Sequence, residues 1–375
     1  MDDSRFAAPD SFALLCALGW SERWQACFAS FSSSLACDAR CEPGRVLAGS
    51  RDQLRVGTTR GEEEALVPGR LLYRAESPAE LPCVGDWLAL RRLDEGGEQP
   101  LVVEAVLPRA SVFVRRAAGR RSEPQALAAN VDVALLVAGL DEPWKPRRLE
   151  RWLAMTREAG VPAVVVLTKL DLCDNAELGT VVAGATALAA PAPVHAIDAL
   201  HGDGVEQLYT YLRAGETLVL LGISGAGKST LANQLAGHRI AATSALADDG
   251  RGRHTTTRRE LLPLPGGALL LDTPGLREVG LWLGDDDLAS TFPEIDELAQ
   301  GCRFRDCTHS SEPGCAVRAA VDAGSLDTER LASFRQLAAE RDALRRRTDA
   351  QAAREARQQT KALHRAANKH KPRSL

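Results

Sequence analysis

The chain has 375 residues, enough for two or three domains, and 46 Lys plus Arg against 50 Asp plus Glu leave a formal charge of -4. That balance excludes a uniformly basic nucleic-acid coat, and 45% hydrophobic with 26% charged residues excludes a largely disordered chain. No apolar run reaches the ~18 residues that a membrane-spanning helix needs, and the opening Met-Asp-Asp-Ser has no basic, apolar leader, so a cytoplasmic protein without secretory signal or membrane partner is expected.

Phe12, Leu15, Leu18, Trp20, Trp24 and Phe28 stand at helical spacing and predict a small amphipathic leader over 1–40, closed by a Ser-rich turn at 30–34. From about 45 to 114 the texture changes to short apolar or alternating runs between Gly, Pro and acidic turns. Arg45-Val-Leu-Ala, Gln53-Leu-Arg-Val, Arg70-Leu-Leu-Tyr, Asp86-Trp-Leu-Ala-Leu and Leu101-Val-Val-Glu-Ala-Val predict a barrel of five or six strands. From Val131 strands and helices alternate: a strand at 131–138, a helix at 148–159, a strand at 163–167, an Ala-rich segment, a helix near 204–213, a strand at 218–221, a helix from Lys228 and a strand at 268–271. Such alternation predicts a mostly parallel sheet with helices on both faces. Residues 300–316 break the pattern with clustered Cys, His, Pro and Gly, and Leu331, Phe334, Leu337, Ala338 and Leu344 then predict a helix.

Gly222, Ile223, Ser224, Gly225, Ala226, Gly227, Lys228 and Ser229 match G-x4-G-K-[ST], with an apolar strand before and a helical pattern from Thr230 after. In such a loop, backbone N–H groups at a helix N-terminus converge on phosphate oxygens, Lys228 reaches the terminal phosphates and the Ser229 hydroxyl ligates Mg²⁺. Leu-Leu-Leu-Asp272-Thr-Pro-Gly275 ends a buried strand and suits a second phosphate and Mg²⁺ contact. Thr168-Lys169-Leu-Asp171 ends another strand. A carboxylate there accepts from the two donors on one edge of guanine, whereas adenine lacks them, and Lys169 lies over the base.

Cys302-x4-Cys307-x-His309-x5-Cys315 offers three thiolates and an imidazole within 14 residues, a closed shell for one structural Zn²⁺. Cys16, Cys27, Cys37, Cys41, Cys83 and Cys173 form no such group and read as ordinary thiols.

The base motif precedes the phosphate loop, the reverse of the usual GTPase order. With a barrel before it, Ala129-Asn-Val-Asp132, Gly-Arg-His254-Thr-Thr-Thr257 and the Cys302 cluster, residues 40–345 closely resemble the circularly permuted, small-subunit-dependent ribosomal GTPases of the RsgA/YjeQ family. The resemblance implies an α/β P-loop GTPase, circularly permuted and mostly parallel, with an N-terminal β-barrel (OB-fold) and a C-terminal α-helical zinc-binding domain. It implies boundaries at 1–40 (leader), 41–118 (OB-fold), 119–285 (GTPase), 286–345 (zinc) and 346–375 (basic tail). It implies GTP hydrolysis stimulated by the small ribosomal subunit late in maturation, binding to rRNA, release on hydrolysis and a monomeric protein using GTP/GDP, Mg²⁺ and Zn²⁺. Thr255 or Thr256 falls in the first switch, with Thr256 a magnesium ligand beside Ser229, and Asp272 to Gly275 in the second. Asp198-Ala199 stands where a Ser-Ala pair backs the guanine carbonyl, and Thr168 replaces the commoner Asn, losing an amide brace. Leu276 follows Gly275 where a water-orienting Gln is usual, which leaves His254 to orient water or to pair with phosphate or RNA.

Arg51, Arg55, Arg60, Arg91, Arg92, Arg115, Arg116, Arg120 and Arg121 are candidates to meet RNA phosphates. Residues 344–375 hold ten Lys or Arg and two Asp or Glu, a charge of +8, so the rest of the chain carries -12. That tail either folds on RNA or stays solvated. Two other functions share the phosphate loop: a small-molecule kinase, which leaves Asp171 and the cysteines without a role, and a nucleotide-stabilised RNA-binding scaffold, which Leu276 favours.

Overall fold

The computed structural model describes residues 12–34, 41–50, 52–93, 100–116, 124–240, 259–272, 289, 291–339 and 342. They fall into two compact units, one from the described residues of Met1–Arg115 and Pro124–Gly280, the other from those of Arg116–Glu123 and Leu281–Leu375.

The first unit opens with α1 (Ala13–Ala17) and α2 (Glu22–Ser34); Leu15 of α1, Trp20 of the connection and Trp24 of α2 pack on Trp87 and Leu107 of the barrel. Trp20 meets Trp87 edge-on at 4.8 Å, so the leader is docked through aromatic burial. Residues 30–34 belong to α2 rather than to a turn. Ser32 returns its hydroxyl to the Phe28 carbonyl one turn back (2.8 Å), which keeps a Ser-rich stretch inside the helix.

The barrel is β1 (Cys41–Gly49), β2 (Gln53–Thr58), β3 (Gly61–Leu66), β4 (Trp87–Arg91) and β5 (Leu101–Val106). β1 pairs β2, β2 pairs β3 and β4 pairs β5 antiparallel, β3 pairs β5 in parallel, and β4 returns antiparallel to β1 at Arg45↔Trp87, closing an OB-type barrel. Strand β3 reads Gly-Glu-Glu-Glu-Ala-Leu, an acidic run without the alternation that signals a strand. It is held because Glu63 accepts from Thr58 at 2.6 Å and from the buried Arg92 at 2.8 Å. Arg70-Leu-Leu-Tyr forms no strand. Pro68 has no N–H to give a ladder, and the chain turns into α3 (Gly69–Arg74).

A small two-stranded sheet, β6 (Val112–Arg116) with β7 (Pro124–Ala129), leads into the nucleotide-binding part. There β8 (Val133–Gly139), β9 (Ala163–Thr168), β10 (Val194–Ala196), β11 (Thr217–Leu221), β12 (Glu260–Pro263) and β13 (Leu269–Asp272) lie in the order β10-β9-β8-β11-β13-β12, with all neighbours parallel except β12. Helices α4 (Pro146–Glu158), α5 (Asn175–Ala189, the Ala-rich segment) and α6 (Lys228–Ala236) bury the strands on both faces. That is why β8 and β9 are apolar runs rather than alternating ones. The helix expected near 204–213 is a 3-10 turn at Val205–Tyr211. One antiparallel pair, Ala48↔Glu260, continues this sheet into the barrel.

In the second unit, α7 (Pro293–Ala299), α8 (Ala316–Asp322) and a helix over 328–339 enclose Phe292, Ile295, Val317 and Leu331. Phe292 and Phe334 meet edge to face at 5.5 Å.

Candidate functional site

The glycine-rich loop leaves the C-terminal end of β11 and enters α6, with Gly225 (φ 84°) and Gly227 (φ 86°) in the left-handed region. A side chain on Gly222 would strike the Val137 carbonyl of β8, so the loop hugs the sheet edge only as glycine. The Lys228 ammonium donates to the carbonyls of Gly222 (2.8 Å) and Ile223 and is nearly buried. Ala226 is buried under the loop, and Ser229 and Thr230 open α6.

Thr168, at the end of β9, reaches the same loop. Its buried hydroxyl donates to the Ala226 carbonyl at 2.7 Å, with Ala138 O at 3.3 Å. A Cβ on Gly227 would lie 3.1 Å from that hydroxyl. The expectation that Thr at this position gives up the brace is therefore corrected: a hydroxyl, shorter than an amide, still ties β9 to the phosphate loop. The motif order is reversed along the chain, yet β8 lies between β9 and β11 and brings both motifs to one sheet edge.

Lys169 adopts a left-handed backbone (φ 63°) and its ammonium pairs with Asp141 at 2.5 Å. Asp171 is exposed. Asp198 is buried and accepts from the backbone N–H groups of Leu200 (2.8 Å) and His201 (3.1 Å) and from His201 Nδ1 (2.5 Å). The His201 hydrogen bond, ahead of the backbone bonds, holds the Asp198 carboxyl below its usual range, and Asp198 in turn raises the imidazole. Ligand atoms of Asp171, Asp198 and His201 all lie within 4.8 Å of one another. Ala199 follows, buried. A cleft beside this edge is lined by Gly139, Asp141, Trp144, Trp152, Lys169 and Gly225, among others.

Asp272 closes β13, its backbone paired with Glu260. His254, Thr255, Thr256, Gly275 and Leu276 lie outside the described residues, as do Cys37, Arg51, Arg120, Arg121 and the basic tail.

In the second unit Cys302, Cys307, His309 and Cys315 bring their donor atoms within 4.8 Å of one another, a group that could hold a metal ion. Two local devices shape it. His309 takes a left-handed backbone (φ 58°), and Glu312 accepts from the N–H groups of Thr308 (2.9 Å), Ser310 (2.8 Å) and Ser311 (3.0 Å), tying the loop round it. Cys315 caps α8 and accepts from the Arg318 N–H at 3.4 Å. Cys41 is disulfide-bonded, against the expectation of ordinary thiols, while Cys16, Cys27, Cys83 and Cys173 are free.

Residues 106–282 match the family described as RsgA GTPase. The small ribosomal subunit biogenesis GTPase RsgA of Opitutus terrae is 45% identical over 362 residues, 93% of this chain and 96% of that protein. The chain belongs to the RsgA GTPase family. The RsgA protein of Streptomyces coelicolor is 43% identical over 92% of each chain. YjeQ from Thermotoga maritima superposes with a TM-score of 0.59 at 25% identity over 80% of this chain and 98% of its own. YloQ, a circularly permuted GTPase, shares the fold at a TM-score of 0.54 and 21% identity, over 80% of this chain and 95% of its own. As an RsgA GTPase the chain is a GTP hydrolase with permuted motif order.

Three of the barrel arginines that are candidates to meet RNA phosphates carry carboxylate partners. Arg92 is buried between Glu42 (2.5 Å) and Glu63 (2.8 Å), Arg91 pairs with Glu104 (2.5 Å) and Arg55 with Glu260. Carboxylates of neighbouring strands answer them, which the sequence conceals because the partners are up to 205 residues away. Ala129-Asn-Val-Asp132 is a joint: Asn130 Oδ1 accepts from Ala110 N–H (2.8 Å), its Nδ2 donates to Gly85 O (3.0 Å), and Asp132 accepts from Thr217 N–H (2.7 Å). Sequence reasoning missed Asp141, His201 and Glu312; the D-x-x-H spacing of Asp198 and His201, right for a turn, was the one signal available.

Proposed function

We propose that this chain hydrolyses GTP in a manner stimulated by the small ribosomal subunit and acts late in that subunit's maturation, in the cytoplasm and as a monomer, binding rRNA and leaving on hydrolysis. The observation that carries the reading is the Thr168 hydroxyl bonded to Ala226, which ties the strand bearing Lys169 and Asp171 to the phosphate loop. Asp171 accepts from the guanine edge, Lys169 covers the base face and the Ala199 N–H meets the base carbonyl. Its exposure makes Asp171 selective through geometry, since a solvated carboxylate discriminates less than a buried one.

Gly222, Ile223, Ser224, Gly225, Ala226, Gly227, Lys228, Ser229 and Thr230 form the phosphate cradle at the head of α6, where the helix dipole favours anions. Ser229, Thr256 and Asp272 would hold Mg²⁺, which when bound neutralises charge on the phosphates. Gly275 offers its N–H to the terminal phosphate, Thr255 belongs to the switch segment, and His254 accepts a proton from the attacking water in place of the missing glutamine.

Zn²⁺ fits the Cys302, Cys307, His309 and Cys315 group. Tetrahedral bonds of about 2.3 Å to sulfur and 2.0 Å to nitrogen put two sulfurs about 3.8 Å apart and sulfur and nitrogen about 3.5 Å apart. Here Cys302 Sγ lies 3.9 Å from Cys315 Sγ, and His309 Nδ1 lies 3.6 and 3.5 Å from the same two sulfurs. With four protein donors and no open position, the ion would be structural.

GTP turnover measured with and without purified small subunits tests the reading. We expect slow intrinsic turnover, raised about tenfold or more by the subunit, because no glutamine orients water. Turnover indifferent to the subunit would overturn the ribosomal reading, and ATP competing as well as GTP would overturn the guanine reading.

A further inference from the structure

We infer that His201 is a positioning residue of the base site: it holds the Asp198 carboxylate inside its loop so that Ala199 presents a backbone N–H, rather than a neighbouring negative charge, to the guanine carbonyl. This rests on the reading of Asp171 and Ala199 as guanine-binding groups.

The local bonding makes the case. Asp198 Oδ1 accepts from the N–H groups of Leu200 and His201, bonds that a serine hydroxyl could also accept in such a turn. What aspartate adds is a second oxygen and a charge, in a residue only 5% exposed and within 4.8 Å of the Asp171 carboxylate. Two carboxylates so close repel each other, and a buried unpaired one is costly. His201 Nδ1 answers that oxygen at 2.5 Å while the ring stays open to solvent and can exchange its proton freely. The loop is pinned from both ends by Asp198 N–H to Asp203 O (2.9 Å) and Gly202 N–H to Asp198 O (2.9 Å). The Ala199 N–H has no hydrogen-bond partner among the described residues.

The charged groups facing His201 are Asp198, Asp171 and Asp203, all acidic, and Asp198 contributes most to favouring the imidazolium. A protonated His201 offsets the negative charge that the carbonyl of guanine would meet. As pH rises through the raised imidazole value the proton is lost and the carbonyl faces an uncompensated Asp198. Guanine-nucleotide affinity is therefore highest below that value and falls above it.

Calorimetric titration of GDP into wild type, His201→Asn and His201→Ala between about pH 6 and about pH 8.5 tests this. Wild-type affinity should fall about threefold or more across the range. His201→Asn, whose amide still donates to Asp198 without a titrating charge, should be flat with pH and close to the wild-type value at the alkaline end. His201→Ala should be flat and about tenfold weaker than wild type at the acid end, the loss expected for one charge-assisted hydrogen bond. If both variants follow the wild-type curve, the positioning role is wrong. Asp171→Asn separates the two levels of the inference, because removing the carboxylate should turn preference from GDP to xanthosine diphosphate. Absence of that turn sinks the guanine-site reading itself, whereas the turn together with unchanged His201 profiles sinks only the role of His201.

Discussion

At the scale of single residues, Thr168 couples the two halves of the site through one proton. Its hydroxyl sits between Ala226 O at 2.7 Å and Ala138 O at 3.3 Å, and the shorter bond decides where the proton goes. Thr168→Val keeps the shape and the β-branched fit to a strand but leaves the Ala226 carbonyl buried without its donor. An unsatisfied buried acceptor costs about 1–3 kcal/mol, and the strain falls on the loop that must wrap phosphates. We expect GDP affinity about tenfold weaker for Thr168→Val and near wild type for Thr168→Ser, read by fluorescence titration with a labelled nucleotide. Equal affinities for Val and Thr would mean that packing, not the hydrogen bond, carries the coupling. Gly227 is the other side of this contact: with φ 86° and a Cβ position 3.1 Å from the Thr168 hydroxyl, any larger residue there would press on the brace.

At the scale of elements, the first unit is joined through the side chain of Arg45 on β1. Its guanidinium is buried and donates to Leu18 O of the leader, to Gly85 O (3.3 Å), to Asn130 O (3.1 Å) and to Thr217 Oγ1 at the start of β11 (2.7 Å), while lying 5.2 Å from the Trp87 ring. Burial pulls this group down to about 10, against the pull of Asp132 and Asp86, so it stays charged at neutral pH. Arg45→Met relieves a buried charge but strips the donor from Leu18 O, Asn130 O and Thr217 Oγ1, and the second effect wins because Asn130 and Thr217 are buried away from water. A loss of about 2–4 kcal/mol in urea unfolding is expected. Arg45→Lys should recover little of it, since a compact ammonium cannot fork to four acceptors; full recovery by Lys would show that charge alone matters. None of this was legible in the sequence, where Arg45 opens one of five apolar runs. What could be read was whatever depends on near neighbours: the short apolar or alternating runs of β1 and β2, the apolar runs of β8 and β9, the glycine loop with its strand and helix, and the Cys/His spacing. What could not be read depends on distant partners: the acidic β3 that Arg92 stabilises, the arginines that carboxylates absorb, and the imidazole that makes an aspartate acceptable at position 198.

At the scale of the whole molecule, the chain segregates its chemistry. Every described group assigned to the nucleotide lies in the unit with the parallel sheet, and the four metal-ligand candidates lie in the other. Charge is segregated too, with -12 over the first 343 residues and +8 over the last 32, so an acidic catalytic body carries a cationic end suited to phosphate contacts. The partition gives metal removal a selective outcome. Without an ion, Cys302, Cys307, His309 and Cys315 are thiols and an imidazole crowded within 4.8 Å, with Glu312 and the α8 terminus among their local supports. Structural zinc contributes folding free energy directly, so the second unit should loosen. Among the described residues, the hydrogen bonds given above for the phosphate loop, Thr168 and Asp198 have their partners within the first unit. We expect a chelator-treated protein to bind GDP within about twofold of its untreated affinity, while losing both the protease resistance of residues 291–339 and the stimulation of turnover by small subunits. A fall in GDP affinity of about tenfold or more, matching the loss of stimulation, would show instead that the nucleotide site leans on the metal-binding unit, and the division of labour between the units would have to be abandoned.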